Sequence, residues 1–388
     1  MKNIVIGLFI VLNLHAQTYE ELLNRAIEKS LQLKVVQSRQ EEVSLQGQID
    51  RRFKNPNLEL EIADFSSKFL TQSNEFGVRV GVSQSILLPH IREDKKRIEV
   101  REFNVEKERY FVEKSKFIYR FNLKYLAYKD ALKKLELYNR VVSISTNLLD
   151  AVRSRYQEGA VAKSEFLEMN LKHRDMLNEK EMLDFKLTES KNSLLSFALL
   201  SDVVEIDGSY QFRLLDIQKT HSLIKLNQAK ERVSQEKLEL LRHSLESIEV
   251  FSELEREPDQ DVFRIGISID LPTFNLKSEE RQLEKIKIAN QKLRIAEQEK
   301  LLTIQIAQLK YEVSKLKALN DEYRSSILEK KELFEIYKKS YELAKVNFLK
   351  LQKTLQNIVT TEEKILENSL SIEESIIKIN YLQGGYSE

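Results

Sequence analysis

The sequence predicts a mainly α-helical chain with a small β part, built as two tandem repeats, and three observations carry that prediction. Only 4 prolines and 9 glycines punctuate 388 residues, so helices run long before anything stops them. The prolines sit beside two short regions in which apolar and polar residues alternate, the period of a strand with one apolar face. Finally, Val80-Gly81-Val82-Ser83 returns 185 residues later as Ile265-Gly266-Ile267-Ser268, which marks an internal repeat.

Charge and composition remove several function classes. With 62 basic against 61 acidic side chains, the chain is neither a basic nucleic-acid binder nor an acidic disordered segment, and no nucleic-acid partner is expected. Cysteine is absent, which excludes disulfide frameworks, thiolate metal sites, cysteine nucleophiles and lipidation at an N-terminal cysteine. Residues 1–16 carry Lys2, an apolar run from Ile4 to Leu12 and the small-residue end His15-Ala16. They read as a cleavable secretory signal, with the mature chain beginning near Gln17. The apolar run is shorter than the roughly 20 residues of a spanning helix, and no later segment offers a longer one. Any membrane crossing would therefore be made by strands.

The first repeat covers 17–200, the second 221–388, and 201–220 around Gly208 is the linker. Each repeat is expected to run helix, strand pair, long helix, return helix. In the first, strands fall at about 57–65 and 76–87, with helices at about 92–157 and 163–198. In the second, strands fall at about 247–255 and 262–271, with helices at about 276–350 and 354–383. Leu58, Leu60 and Ile62 alternate with Glu59 and Glu61. Val78, Val80 and Val82 alternate with Arg79 and Gly81, and Phe263, Ile265 and Ile267 with Arg264 and Gly266. Each segment has about the 9 to 11 residues that a tilted strand needs to cross hydrocarbon. The polar stretches 66–74 and 255–260 read as hairpin loops. The alternation alone fits two soluble hairpins packed on helices equally well.

Between the strand regions, apolar residues recur at alternating steps of three and four. One seam runs through Phe121, Tyr125, Tyr128, Leu132 and Leu135, another from Phe334 through Tyr341, Phe348, Leu351, Leu355 and Ile358 to Ile365. This is the seam of a left-handed coiled coil. A helix over 92–157 would be about 100 Å long at 1.5 Å per residue.

A cysteine-free chain of two repeats, each with two membrane-length strands and two very long helices, resembles the outer membrane efflux protein family, the TolC-like exit ducts. The residues that carry the resemblance are Asn55-Pro56-Asn57-Leu58, Val82-Ser83-Gln84 and Leu271-Pro272-Thr273-Phe274 at the strand ends. Arg155-Tyr156-Gln157-Glu158-Gly159, continued by Ser164-Glu165-Phe166-Leu167, marks the first helical turn. Four strands are too few to close a transmembrane barrel, so copies must share one. The resemblance implies a homotrimer in which three sets of four strands form a 12-strand outer-membrane β-barrel, continued by an α-helical periplasmic tunnel. It also implies a passive duct of a tripartite efflux or type I secretion system, with a periplasmic adaptor (membrane fusion) protein and an inner-membrane RND or ABC pump as partners. A soluble periplasmic coiled-coil scaffold is the alternative.

No catalytic or cofactor constellation is visible. The histidines lie in different predicted elements and no glycine-rich phosphate loop exists. Met169, His173 and Met176 share one helix face, with Met182 nearby, a set that suits a soft ion such as Cu(I). The same stripe holds Phe166, Leu183 and Leu187, so these side chains are expected to pack in the seam and no metal is assigned. By the resemblance, the periplasmic tip and adaptor-docking surface comprises Tyr156, Glu158, Gly159 and Ala160 with Lys350, Leu351 and Gln352 from the second turn. The pore gate is expected at Glu165 and Glu168 with Asn357 and Thr360, the carboxylates forming a ring that favours cations. The second turn lacks the glycine and the acid when Leu351 is aligned with Gly159. The unbroken seam there fits one continuous helix from about Lys331 to Leu382, whereas the repeat argues for a hairpin near Leu351, the reading adopted.

Overall fold

The computed structural model describes residues 16–64, 76–201, 205–216, 220–257, 259–274, 276–343 and 345–386. Residues 1–15 of the signal segment and the first hairpin loop fall outside the described residues. In chain order the elements are α1 (Tyr19–Lys29), α2 (Leu31–Arg51), β1 (Asn57–Asp64), β2 (Phe76–Leu87), α3 (Pro89–Gln157), α4 (Lys163–Ala198), α5 (Ser222–Leu240), β3 (Ser247–Arg256), β4 (Asp261–Ser268), α6 (Ser278–Glu342) and α7 (Phe348–Leu382).

Local chemistry sets the ends. Thr18 opens α1 with a reciprocal box, its hydroxyl accepting from Glu21 N while Thr18 N donates to the Glu21 carboxylate at 3.0 Å. Pro89 stands at the first helical position of α3, where its missing N–H has no partner to lose, and α3 then continues for 69 residues. At its far end Ala160 N donates to Arg155 O at 2.8 Å and Gly159 N to Tyr156 O at 3.0 Å, the paired bonds of a Schellman stop. Gly159 adopts φ 77, the left-handed conformation that this stop requires and that a Cβ resists.

The second turn corrects the sequence reading. Helix α6 ends at Glu342 and α7 begins at Phe348, so two helices stand here, as the adopted hairpin reading expects, and what shifts is the place of the break, which lies before Leu351 rather than at it. Lys345 N donates to Ser340 O at 2.9 Å, the same bond as Ala160 to Arg155 one repeat earlier. Asn347 caps α7 by accepting from Lys350 N at 3.3 Å. The seam looked unbroken because Tyr341 and Phe348 keep heptad spacing across the turn and still pack together, their rings 6.1 Å apart. Strand β4 also stops at Ser268, short of the expected Leu271.

The chain divides into two compact units. The first gathers 1–33, 113–221 and 301–388. Its core is the coiled-coil seam: Leu137, Val141, Leu148 and Val152 of α3 against Phe334 and Tyr341 of α6 and Leu351, Leu355 and Ile358 of α7. In the same unit Tyr19 stacks on Tyr210 at 3.9 Å and meets Tyr125 edge-on at 5.1 Å. The described part of the linker is tied to α3. Tyr128 donates to Ile206 O at 3.0 Å, and the buried Lys129 ammonium donates to Tyr210 O and to the Glu373 carboxylate, both at 2.7 Å.

The second unit gathers 34–112 and 222–300. Val105 and Val112 of α3 pack on Leu226, Ala229 and Val233 of α5. Helix α2 approaches α3 closely at Gly47, where an added Cβ would stand 2.3 Å from Glu99 Cγ, and Arg51 pairs with Glu99 at 2.7 Å beside it. The strands form one antiparallel sheet in the order β1-β2-β3-β4. The central β2 to β3 pairing joins the two repeats, and β1 and β4 are its edges.

Candidate functional site

Strand register decides what each face of the sheet can do, because residues directly opposite share a face. One row reads Leu60, Val80, Leu254, Phe263 across all four strands. Its members are exposed, Leu60 by 69% and Phe263 by 66%. Adjacent rows add Leu58 and Val82, Ile62 and Val78, and Ile265 and Ile267, all exposed. The face is largely apolar, interrupted by Ser252 and, at the hairpin end, by the Arg256 to Asp261 ion pair that completes the Ile62, Val78 row, and an exposed apolar face is the mark of a surface meant for lipid or protein.

The opposite face carries charge. Its rows read Glu61, Arg79, Glu255, Val262 and Glu59, Gly81, Glu253, Arg264. Arg79 reaches Glu61 at 3.1 Å, Glu253 at 3.0 Å and Glu255 at 3.2 Å, and Arg264 pairs with Glu253 at 2.6 Å and with Glu255. The ion pairs thus tie the four strands together across the polar face. Among the described residues, no helix is long and apolar enough to cross a membrane.

At the helical turns the structure joins residues that the sequence left separate. The Arg155 guanidinium lies 4.5 Å over the Tyr341 ring and also donates to Tyr341 O. The Tyr341 hydroxyl donates to Glu165 Oε1 at 3.0 Å. Burial, and next the Glu165 carboxylate that accepts this proton, raise the Tyr341 pKa. Glu165 is consequently half-buried and occupied, while Glu168 is exposed. Tyr156 lies parallel to Phe166 at 5.3 Å, and Glu158, Gly159 and Ala160 are exposed at the turn itself.

The second-turn assignments shift. Leu351 is fully buried in the core, and Lys350 and Gln352 lie within α7, after its Asn347 cap. Adding 185 to the first-turn positions carries Tyr156 to Tyr341, the cap Ala162 to the cap Asn347, Glu165 to Lys350 and Glu168 to Lys353. Asn357 and Thr360 lie further along α7, the former exposed and the latter half-buried. They are therefore not the counterparts of Glu165 and Glu168. The positions that are carry amines.

The Met169, His173, Met176 stripe is spent on packing: Met169 is buried in the seam core with Met176 against it, and His173 Nδ1 lies 3.1 Å from the Ser145 hydroxyl. A different histidine pair does meet. His90 and His243 have ring centroids 4.6 Å apart, and His243 Nε2 lies 3.1 Å from the buried Asp94 carboxylate. Their 153-residue separation in sequence hid that contact. Among the described residues, no group of three or more His, Asp or Glu is placed to hold a metal.

No family model and no curated protein matches the sequence. Solved structures do match the fold. The CmeC outer membrane channel of Campylobacter jejuni aligns with a TM-score of 0.75 at 14% identity, over 94% of this chain and 85% of that one. The outer membrane protein VceC of Vibrio cholerae aligns with a TM-score of 0.77 at 10% identity, over 94% and 95%. The open-state MtrE outer membrane channel of Neisseria gonorrhoeae aligns with a TM-score of 0.72 at 14% identity, over 95% and 89%. The chain has the TolC-like outer membrane channel fold.

Proposed function

We propose that this chain is one subunit of a passive exit duct in the outer membrane, with a large periplasmic helical part, serving a tripartite efflux or type I secretion system. The observation that carries this reading is the sheet: four strands, one face largely apolar and exposed, the other ion-paired, with no partner strand on either edge among the described residues. An open edge in lipid would leave its backbone N–H and C=O groups without hydrogen bonds, so copies must supply one another's edges. Three copies, 3 × 4 strands, make the 12-stranded barrel of a homotrimer, in keeping with the fold shared with known outer membrane channels. A soluble scaffold would have to hide the apolar face against helices, and that face is uncovered.

In this reading the first turn, at Tyr156, Glu158, Gly159 and Ala160, and the second, at 343–347, form the tip that docks a periplasmic adaptor and, through it, an inner-membrane RND or ABC pump. The gate proposal narrows to Glu165 and Glu168, with Lys350 and Lys353 in place of Asn357 and Thr360. Catalysis and a cofactor have no part in the duct.

Fractionation tests the proposal. A heat-dissociable trimer extracted from outer membranes by detergent is expected, whereas a monomer confined to the soluble periplasm would overturn it.

A further inference from the structure

We infer that the contact joining the two repeats within one chain is the template for the contact between chains, so that β4 and α6 of one copy seat on β1 and α2 of the next in a fixed register. This deepens the proposal that copies close the barrel, and rests on it. The strand pairings supply the equivalences. Asn57 of β1 opposes Ser83 of β2, and Glu249 of β3 opposes Ser268 of β4. Ser268 therefore stands for Ser83, and Glu249 for Asn57. Within the chain, β2 meets β3 with Val80 opposite Leu254, Val82 opposite Ser252 and Gln84 opposite Val250. Carried over to two copies, the same register sets Ile265 opposite Ile62 of the next copy, Ile267 opposite Leu60 of the next copy, and Ile269 opposite Leu58 of the next copy. All three pairs are apolar. On the other face Gly266 and Ser268 meet Glu61 and Glu59 of the next copy, and no like charges are opposed.

Matched positions show which surface the second copy covers. Strand β2, paired on both sides, runs to Leu87, whereas the edge strand β4 stops at Ser268, short of the equivalent Pro272. Against β1 of the next copy, Ile269 and Asp270 gain the partners that Gln84 and Ser85 have in β3, so β4 lengthens through them. The helices repeat the contrast. Ile91 and Ile98 of α3 are buried, while their equivalents on the α6 side, Leu276 and Leu283, are exposed by 63% and 52%. Helix α2 leads into β1 as α5 leads into β3, and α5 packs on α3 through Leu226 and Val233. On α2, Val35, Leu45 and Ile49 remain exposed. Two bare apolar stripes, each beside a free strand edge, cover one another when copies meet. Lipid could bury the side chains, but it offers no backbone partners to the edges of β1 and β4, and a second copy offers both.

Introduced cysteines read the register without background, because the chain has none. Directly opposed residues of an antiparallel pair have Cα atoms about 5 Å apart, within disulfide reach, and a slip of two residues adds about 7 Å along the strand. Leu60→Cys combined with Ile267→Cys in the full chain, purified from membranes and oxidised, should give a covalent trimer that reductant returns to monomer. Within one chain β1 and β4 lie at opposite edges of the sheet, about 14 Å apart, so no internal bond competes. Ile267→Cys combined instead with Leu58→Cys or Ile62→Cys should give about tenfold less covalent trimer. More product from a shifted pair overturns the register. Where the double variants do not assemble, amide exchange of the wild-type trimer decides: residues 269 and 270 should exchange as slowly as Gln84 and Ser85, and fast exchange confined to 269 and 270 overturns the inference. A wild-type chain recovered only as monomer removes the barrel reading itself, whereas a stable trimer without the matched crosslink removes this register alone.

Discussion

Tyr341 and Glu165 stand 176 residues apart in sequence, yet the phenol donates to the carboxylate at 3.0 Å and so ties the end of α6 to the start of α4. Arg155, stacked on the same ring, adds the end of α3 to the knot. Three of the helix ends that meet at the turns are thus held by one tyrosine.

Tyr341→Phe should free the Glu165 carboxylate while keeping the ring under Arg155. A hydrogen bond to a charged group contributes about 1.5 to 3 kcal/mol, so a lower melting temperature is expected together with a larger closed-state conductance. Bilayer recordings and a thermal melt of the same preparation report both. Wild-type closed conductance in the variant would mean that the tie does not restrain the turns.

The buried Lys129 to Glu373 pair makes a contrasting demand. Lys129 also donates to Tyr210 O, so Lys129→Met removes the countercharge of the half-buried Glu373 carboxylate, leaving it only the 3.5 Å bond from Phe212 N, and takes the ammonium donor from the Tyr210 carbonyl. A loss of about 3 to 5 kcal/mol is expected. Adding Glu373→Leu should recover a large part of it. Denaturant unfolding of the two variants gives the comparison, and equal stabilities would show that the charge of Glu373 is not what the single variant strands.

Several tyrosines of the first unit should resist titration. Burial foremost raises Tyr341, Tyr138 and Tyr119, and pushes Tyr386 up to about 12. A folded pKa above the unfolded value of about 10 contributes stability that is full below pH 10 and is lost as pH rises through the folded value. Melting temperature should therefore fall as pH rises above about 10, with tyrosinate absorbance appearing late and together with unfolding. Complete titration near pH 10 in a folded protein would contradict the burial.

Much of this architecture was legible because its signals are local. Alternation fixed the strand faces from Leu60, Val80 and Ile265, and the shortage of proline and glycine fixed the long helices. The second turn was misplaced because the seam continues through it: Tyr341 and Phe348 satisfy heptad spacing although the backbone reverses between them. The correct signal was the 185-residue offset already visible in the strands, which carries Tyr156 to Tyr341 and Gly159 to Ala344, a residue outside the described ones. The knot of Arg155, Glu165 and Tyr341 had no sequence signal, since no local period joins residues brought together by packing from separate helices.

Lipid exposure of the apolar row is tested at Val80, which pairs with Leu60 on one side and Leu254 on the other. Val80→Arg places a charge on the face proposed to meet hydrocarbon, at a cost of about 2 to 4 kcal/mol near the bilayer midplane. Trimer recovered from membranes should drop sharply. Gly81→Ser, one residue away on the polar face where an added Cβ meets only Glu59 Cβ at 3.8 Å, should assemble normally. Equal recovery of both variants would put the apolar row somewhere other than in lipid.

The opposed charges of the two turns lead to the last prediction. Glu168 and Lys353 are exposed and occupy equivalent positions one repeat apart. In a closed ring of three copies the two turns alternate, so acids and amines alternate as well, and neighbours attract across each gap. Glu168→Lys should replace that attraction with like-charge repulsion on both sides and raise the closed-state conductance. Lys353→Glu alone should do the same from the other repeat. Combining the two restores alternation with its sense reversed, so conductance should return towards wild type even though no original charge remains at either position. The coupling should weaken with added salt, because exposed charges are screened over about 8 Å at physiological ionic strength. Conductances that simply add in the double variant, without recovery, would show that the two turns do not face each other around the ring.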